Sequence, residues 1–294
     1  MRKTLQKEPC YDIIYLRGGD QMKTGLYESD FFNFDYRITP ITDETQFPFH
    51  SHESYEIYWF IDGEGTYFVE GSKYALKPDM ILLMRSAEMH RPKLKEGCEY
   101  KRVTIHFAPQ FLTKLDPEHR LLAPFVDHPP GVENMYCKEN LLSNTVYECL
   151  ASMTRRGGDA YLDERRLSSL LYSVLHELYD AHMRRKDSKE NYEKNLIAKI
   201  IHYIEEHLDE PLSLATLQSK FYISKTHLTR LFKQTTGLSV WEYIGIKRLT
   251  FARAKLREGI RASVVAQSCG FGDYSSFYRA YKKRFGESPT ETKQ

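Results

Sequence analysis

The chain has 294 residues, 41% of them hydrophobic and 28% charged, with a formal net charge of +2. That length suits two domains. No apolar run approaches the roughly 18 residues a membrane span needs, and the opening MRKTLQKEPC lacks the apolar centre of a signal peptide. A membrane partner is therefore not expected, and the localisation reads as cytoplasmic. Five scattered cysteines (Cys10, Cys98, Cys137, Cys149, Cys269) without a CxxC pair read as reduced thiols. The small net charge hides a division: from Lys194 onward there are 17 Lys and Arg against 9 Asp and Glu, whereas the first 193 residues hold 25 against 31. A basic third behind an acidic remainder suggests a polyanion-binding module on a carrier with another task.

Residues 30 to 108 read as strands. FHSHESYEIYWF places His50, His52 and Glu56 at one parity, so an extended chain projects all three from the same face. YEIYWFID and TYFVEG are aromatic and β-branched runs split by GEG, a hairpin signal. MILLM is a short apolar strand, and in YKRVTIHF the residues Val103, Ile105 and Phe107 alternate with Arg102, Thr104 and His106. Short strands at this spacing predict a small barrel or sandwich.

Beyond about 110 the period changes to 3.6. NLLSNTVYECLASMTRR predicts one helix, GGD a break with Asp159 as N-cap, and LDERRLSSLLYSVLHELYDAHM a second helix. The second helix carries a wide apolar stripe of Leu167, Leu170, Leu171, Val174, Leu175, Leu178 and Tyr179. Such a hairpin either covers an open sheet face or meets its twin, and the reading favours a homodimer. RRKDSKENYEK is polar and aperiodic and marks a linker. The expected organisation is α+β with two domains: 1–110 a β-barrel with an N-terminal arm, 111–185 the helical hairpin, 186–195 the linker, and 196–294 an all-α module.

The last hundred residues contain a repeat at an offset of 49. LATLQSKFYISKTHLTRLFKQTTGLS aligns with SVVAQSCGFGDYSSFYRAYKKRFGES, matching Arg230 to Arg279, Phe232 to Tyr281, Gly237 to Gly286 and Ser239 to Ser288. Each copy predicts a short helix, a turn and a longer helix with basic residues, capped by Ser224 and Asp273 respectively. That is the plan of a helix-turn-helix, whose second helix enters the major groove. The intervening VWEYIGIKRLTFARAKLREG predicts a stiff helix of about 18 residues, roughly 27 Å long. Such a helix holds two reading heads near the roughly 34 Å spacing of successive grooves.

On the residues ISKTHLTRLFKQTTGLSVWEYIGIKRLTFARAKL and VAQSCGFGDYSSFYRAYKKRFGESPTE, residues 196–292 resemble the paired helix-turn-helix domain of the AraC/XylS family of bacterial transcription regulators. The front of the chain then resembles the cupin-like effector barrel such regulators carry. The resemblance implies a non-enzymatic regulator, controlled by a small molecule and binding a double-stranded DNA operator, with RNA polymerase as partner if it activates. It further implies base readers at Thr226, Thr229 and Arg230 and at Tyr274, Ser275, Tyr278 and Arg279. Lys225, His227, Lys233, Lys282 and Lys283 fall to phosphate contacts, which position without specifying.

His50, His52, Glu56 and Gly63 fit the first cupin motif, H-x-H-x3-E-x6-G, and His90 stands where a second motif places a fourth ligand. The glycine, proline and glycine expected around it are Asp79, Arg85 and Ala87. Three readings stay open: a catalytic metal cupin, a transition metal in a structural or sensory role, and histidines that hydrogen-bond at the rim or touch an organic effector. The third is preferred; no cofactor is required for DNA binding. Tyr58 and Tyr67, aromatic with polar tips, suggest a sugar-like effector. No P-loop, GxSxG or dinucleotide fingerprint is present.

Overall fold

The computed structural model describes residues 13–15, 21–23, 25–29, 31–155, 158–185 and 196–292. The expected linker, 186–195, lies outside the described residues. Among the described residues the chain opens with eleven strands: β1 (Ile13–Tyr15), β2 (Gln21–Lys23), β3 (Gly25–Glu28), β4 (Phe32–Pro40), β5 (Tyr55–Asp62), β6 (Gly65–Val69), β7 (Ser72–Ala75), β8 (Met80–Met84), β9 (His90–Leu94), β10 (Glu99–Phe107) and β11 (Met135–Tyr136). β1 and β2 pair with each other, β11-β8-β5-β10-β4-β3 form one antiparallel sheet, and β7-β6-β9 form another.

The six-stranded sheet is covered on both faces, and strand parity shows by what. Phe60, Tyr58, Leu82, Met84 and Tyr100 point inward to meet Tyr67, Val69 and Leu94 of the smaller sheet. Ile57, Trp59, Ile81, Leu83, Val103 and Ile105 point outward into a second core. β5 and β8 therefore read as unbroken apolar runs rather than alternating ones.

Helix α1 (Thr145–Ser152) and α2 (Ala160–Arg184) fill that second core, and Asp159 caps α2 by accepting from the Leu162 N–H. Leu167, Leu171, Val174, Leu175 and Leu178 are fully buried against the outward face of the sheet. This corrects the expectation that the stripe dimerises. An exposed sheet face of Ile, Val, Leu and Trp is the nearer apolar surface, and the stripe is consumed in covering it.

The C-terminal third is all helix: α3 (Leu196–Glu206), α4 (Leu214–Phe221), α5 (Lys225–Thr236), α6 (Val240–Arg257), α7 (Ala262–Ser268) and α8 (Tyr274–Phe285). It has two cores. One joins α3, α4, α5 and the start of α6 and takes in Met89 and Phe49 from the β-rich part; the other joins the end of α6, α7 and α8.

Candidate functional site

The repeat is built twice to the same pattern. α5 and α8 each run 12 residues. Ser224 accepts from the His227 N–H and Asp273 from the Ser276 N–H, satisfying donors that a first helical turn leaves free. Each helix ends on a left-handed glycine, Gly237 and Gly286, both at φ 77°. Leu228 and Phe232 in the first unit, and Phe277 and Tyr281 in the second, form the inner faces. Thr226, Thr229, Arg230, Lys225, His227 and Lys233 on α5 are exposed, as are Tyr274, Ser275, Arg279, Lys282 and Lys283 on α8; Tyr278 is half-buried.

Arg248 on α6 holds the units in register. Its guanidinium donates to the carbonyls of Leu208 at 2.8 Å, Glu210 at 2.6 Å and Gly270 at 2.6 Å, so one side chain spans the chain ahead of the first unit and the turn of the second. Sequence reading assigned it no role, because a basic residue on a basic helix gives no sign that it points inward.

Sequence reading also missed the junction between the β-rich part and the helices. Lys247 is 4% exposed and lies between two carboxylates, 2.5 Å from Glu70 and 2.6 Å from Glu205. The Tyr243 hydroxyl donates to Glu70 at 2.7 Å, and Arg85 approaches Glu205 at 3.5 Å. Burial pushes the Glu70 carboxyl up despite Lys247. Burial would lower Lys247, but Glu205 and Glu70 outweigh it and hold the ammonium above the usual lysine value. A second contact joins Glu53 to Arg253 and Arg257.

At the end of the sheets where β5 begins and β10 ends, here called the mouth, the histidines converge on one carboxylate oxygen. Glu56 Oε2 lies 2.7 Å from His52 Nε2, 3.1 Å from His90 Nε2 and 3.2 Å from His106 Nε2. Burial would raise the Glu56 pKa, but His106 and His90 hold it well below the carboxylate range. Burial acts to lower His90, yet Glu56 leaves it above the ordinary histidine value. His106 was absent from the candidate ligands. It stands on β10 opposite Glu56 on β5, a pairing that no local spacing reveals. The alternation in YKRVTIHF was legible: its apolar side enters the core filled by α1 and α2, and on its polar side His106 meets Glu56 while Arg102 donates to Thr39.

Sequence reading grouped His50 with these residues; the structure sets it to one side. Its Nδ1 bonds the Pro48 carbonyl at 3.1 Å, and its ring lies edge-on to His90 at 4.4 Å. Although His50 as a residue is exposed, loss of water around the ring and the neighbouring His90 lower its pKa to about 4. Tyr58 and Tyr67 lie behind the mouth, both buried. The Tyr58 hydroxyl bonds that of Tyr100 at 2.8 Å, and Tyr67 stacks on His90. Asp79 and Ala87, where a cupin motif has glycines, keep a glycine-like backbone at φ 65° and 64°. The turn survives the change of residue type.

Comparison with known proteins agrees with this architecture. An AraC-like ligand binding domain matches residues 36–175, and a helix-turn-helix domain matches 217–294. The probable transcriptional regulator LumQ of Photobacterium leiognathi is 26% identical over 82% of this chain and 90% of its own length. The HTH-type transcriptional activator RhaS of Escherichia coli O81 (strain ED1a) is 26% identical over 92% and 97%. Among solved structures, ToxT from Vibrio cholerae covers 89% of this chain and 97% of its own at 13% identity, with a TM-score of 0.37. A probable AraC family regulator from Rhodopseudomonas palustris CGA009 covers 34% of this chain and 94% of its own at 29% identity, with a TM-score of 0.32. With a ligand-binding domain in front, two helix-turn-helix units behind and full-length relatives that regulate transcription, the chain belongs to the AraC family of effector-controlled, DNA-binding transcription regulators.

Proposed function

We propose that a small-molecule effector held at the mouth of the β-rich domain controls how the first helix-turn-helix unit is presented to its operator. Thr226, Thr229 and Arg230, with Tyr274, Ser275, Tyr278 and Arg279, read base edges. Arginine suits guanine O6 and N7, and the short hydroxylated side chains suit thymine methyls. Lys225, His227, Lys233, Lys282 and Lys283 take phosphates. The relatives are regulators, and the same reading makes this chain a non-enzyme that acts on DNA in the cytoplasm. It includes a homodimer that uses a surface other than the buried α2 stripe, and RNA polymerase as partner where the regulator activates.

The observation that supports this route is a line of adjacent contacts. His90 faces Glu56 in the mouth. Its neighbour Met89 sits in the core of the first reading unit and donates its backbone N–H to Glu70 at 2.7 Å. Glu70 in turn holds Tyr243 and Lys247 of α6. A shift of His90 is thus one peptide from the reader's core. The effector works this way if it favours one arrangement of that line over the other, since only differential affinity shifts an equilibrium.

A sugar is the first organic class to screen, although Tyr58 and Tyr67 present buried rings rather than open faces. The test selects an operator from a randomised duplex pool. Affinity for it is then measured with and without each candidate, for the wild type and for Met89→Ala. We expect Met89→Ala to keep operator binding and lose the response. An unchanged response in Met89→Ala would reject this route.

A further inference from the structure

We propose that His52, Glu56 and His106 bind a divalent transition-metal ion, with His90 bracing the carboxylate from behind. The proposal rests on the reading that this mouth is the effector site, and it names the ligand. Each ring has its Nδ1 against an oxygen acceptor: His52 on the Ser54 carbonyl at 2.9 Å, His90 on the Glu88 carbonyl at 2.8 Å, and His106 on Asn33 Oδ1 at 3.0 Å. An acceptor there takes the Nδ1 proton, so a neutral ring carries its lone pair on Nε2. The three Nε2 atoms converge on the single oxygen Glu56 Oε2. A dication takes two imidazole lone pairs and the carboxylate together, and it suits a set of two histidines and one carboxylate with open positions.

Two further observations favour a metal. The donor atoms of His52, Glu56 and His106 all lie within 4.8 Å of one another. Donors on a tetrahedral ion bonded at about 2.0–2.2 Å stand roughly 3.3 Å apart, so the observed 2.7 and 3.2 Å to Glu56 need to open by about 0.6 and about 0.1 Å respectively. Moreover, His90 Nε2 is buried and lies 3.1 Å from the same carboxylate oxygen. A residue so placed holds a ligating carboxylate in position. The set differs from the sequence motif, because it includes His106 and leaves out His50, which turns to Pro48.

The experiment uses the full chain, untagged and purified without chelators. Metal content is read by mass spectrometry, and Zn2+ and Co2+ are then titrated calorimetrically into stripped protein. Expected are about one equivalent bound, affinity weakened by about 100-fold or more in His106→Ala, since even supporting groups of a metal site are worth 10–100-fold, and affinity unchanged in His50→Ala. Melting of the stripped proteins identifies a variant that fails to fold, with His106→Gln as the replacement. No saturable binding of either ion, or an equal loss in His50→Ala, overturns the assignment. Operator affinity with and without the ion tests the other reading separately. Metal bound with no change in DNA affinity keeps the site and rejects the effector role; a sugar response without metal binding does the reverse.

Discussion

The two helix-turn-helix units share a helix length, a capping scheme and a left-handed glycine at the same φ, yet they stand in different surroundings. The first shares its core with Met89 and Phe49 of the β-rich domain. The second keeps a core of its own residues and meets the β-rich domain through Glu53 and the end of α6. The two glycine caps show the difference at one atom's resolution. A methyl group on Gly286 would meet nothing within 4 Å, whereas on Gly237 it would collide with the Phe49 ring. The duplicated unit thus stands in two settings: one copy shares its core with the β-rich domain, and the other touches that domain only through charged side chains at the end of α6.

The largest expected effect removes the coupling. Lys247→Met leaves Glu70 and Glu205 without their shared cation, and breaking a buried ion pair in this way costs about 3–5 kcal/mol. Thermal unfolding should show a lower first transition, with α7 and α8 retaining their helix content. One undisturbed transition would mean the junction contributes little.

Next comes the glycine pair. Gly286→Ala places an alanine in the left-handed region, at roughly 1–2 kcal/mol. Gly237→Ala adds overpacking against Phe49, a further penalty of about 1–3 kcal/mol. Equal destabilisation of the two in chemical denaturation would erase the claimed asymmetry. Arg279→Ala should weaken operator binding by roughly 1–3 kcal/mol and relax one base position while leaving the effector response intact. Uniform weakening on operator and random duplexes would instead make it a phosphate contact.

The smallest effect is a matter of acid. Hydrogen bonds from Ser276 hold the Asp273 carboxyl below its usual value. A lowered folded pKa gives stability that is present above the ordinary carboxyl range and is lost as the pH falls through the folded value. Ser224, a hydroxyl cap, does not titrate. Amide exchange should therefore show the first turn of α8 loosening below about pH 4 while the first turn of α5 does not; parallel loosening of both would contradict the cap assignment.

Much of the reader was legible in the chain. The offset of 49, the caps Ser224 and Asp273 and the exposed polar faces of α5 and α8 all depend on residues within a few turns of one another, where helical period and capping chemistry act locally. The mouth was half legible. His52 and Glu56 lie on one short stretch and share a parity, but His106 joins them through the register of β10 against β5. His50, next to them in sequence, is turned aside by its bond to Pro48.

What the sequence determined by itself was the class of element at each place, the duplicated helix-turn-helix and the exposed polar faces of its longer helices, because period, caps and charge are properties of neighbours along the chain. Tertiary structure alone decided where the α2 stripe is spent, which glycine cap is covered, and that Lys247 and Arg248, consecutive basic residues on one helix, both turn inward. It also decided that Glu56 would be met by His90 and His106. Each of these depends on which distant surface arrives opposite a side chain, and burial against that surface settles whether a charge is solvated or paired.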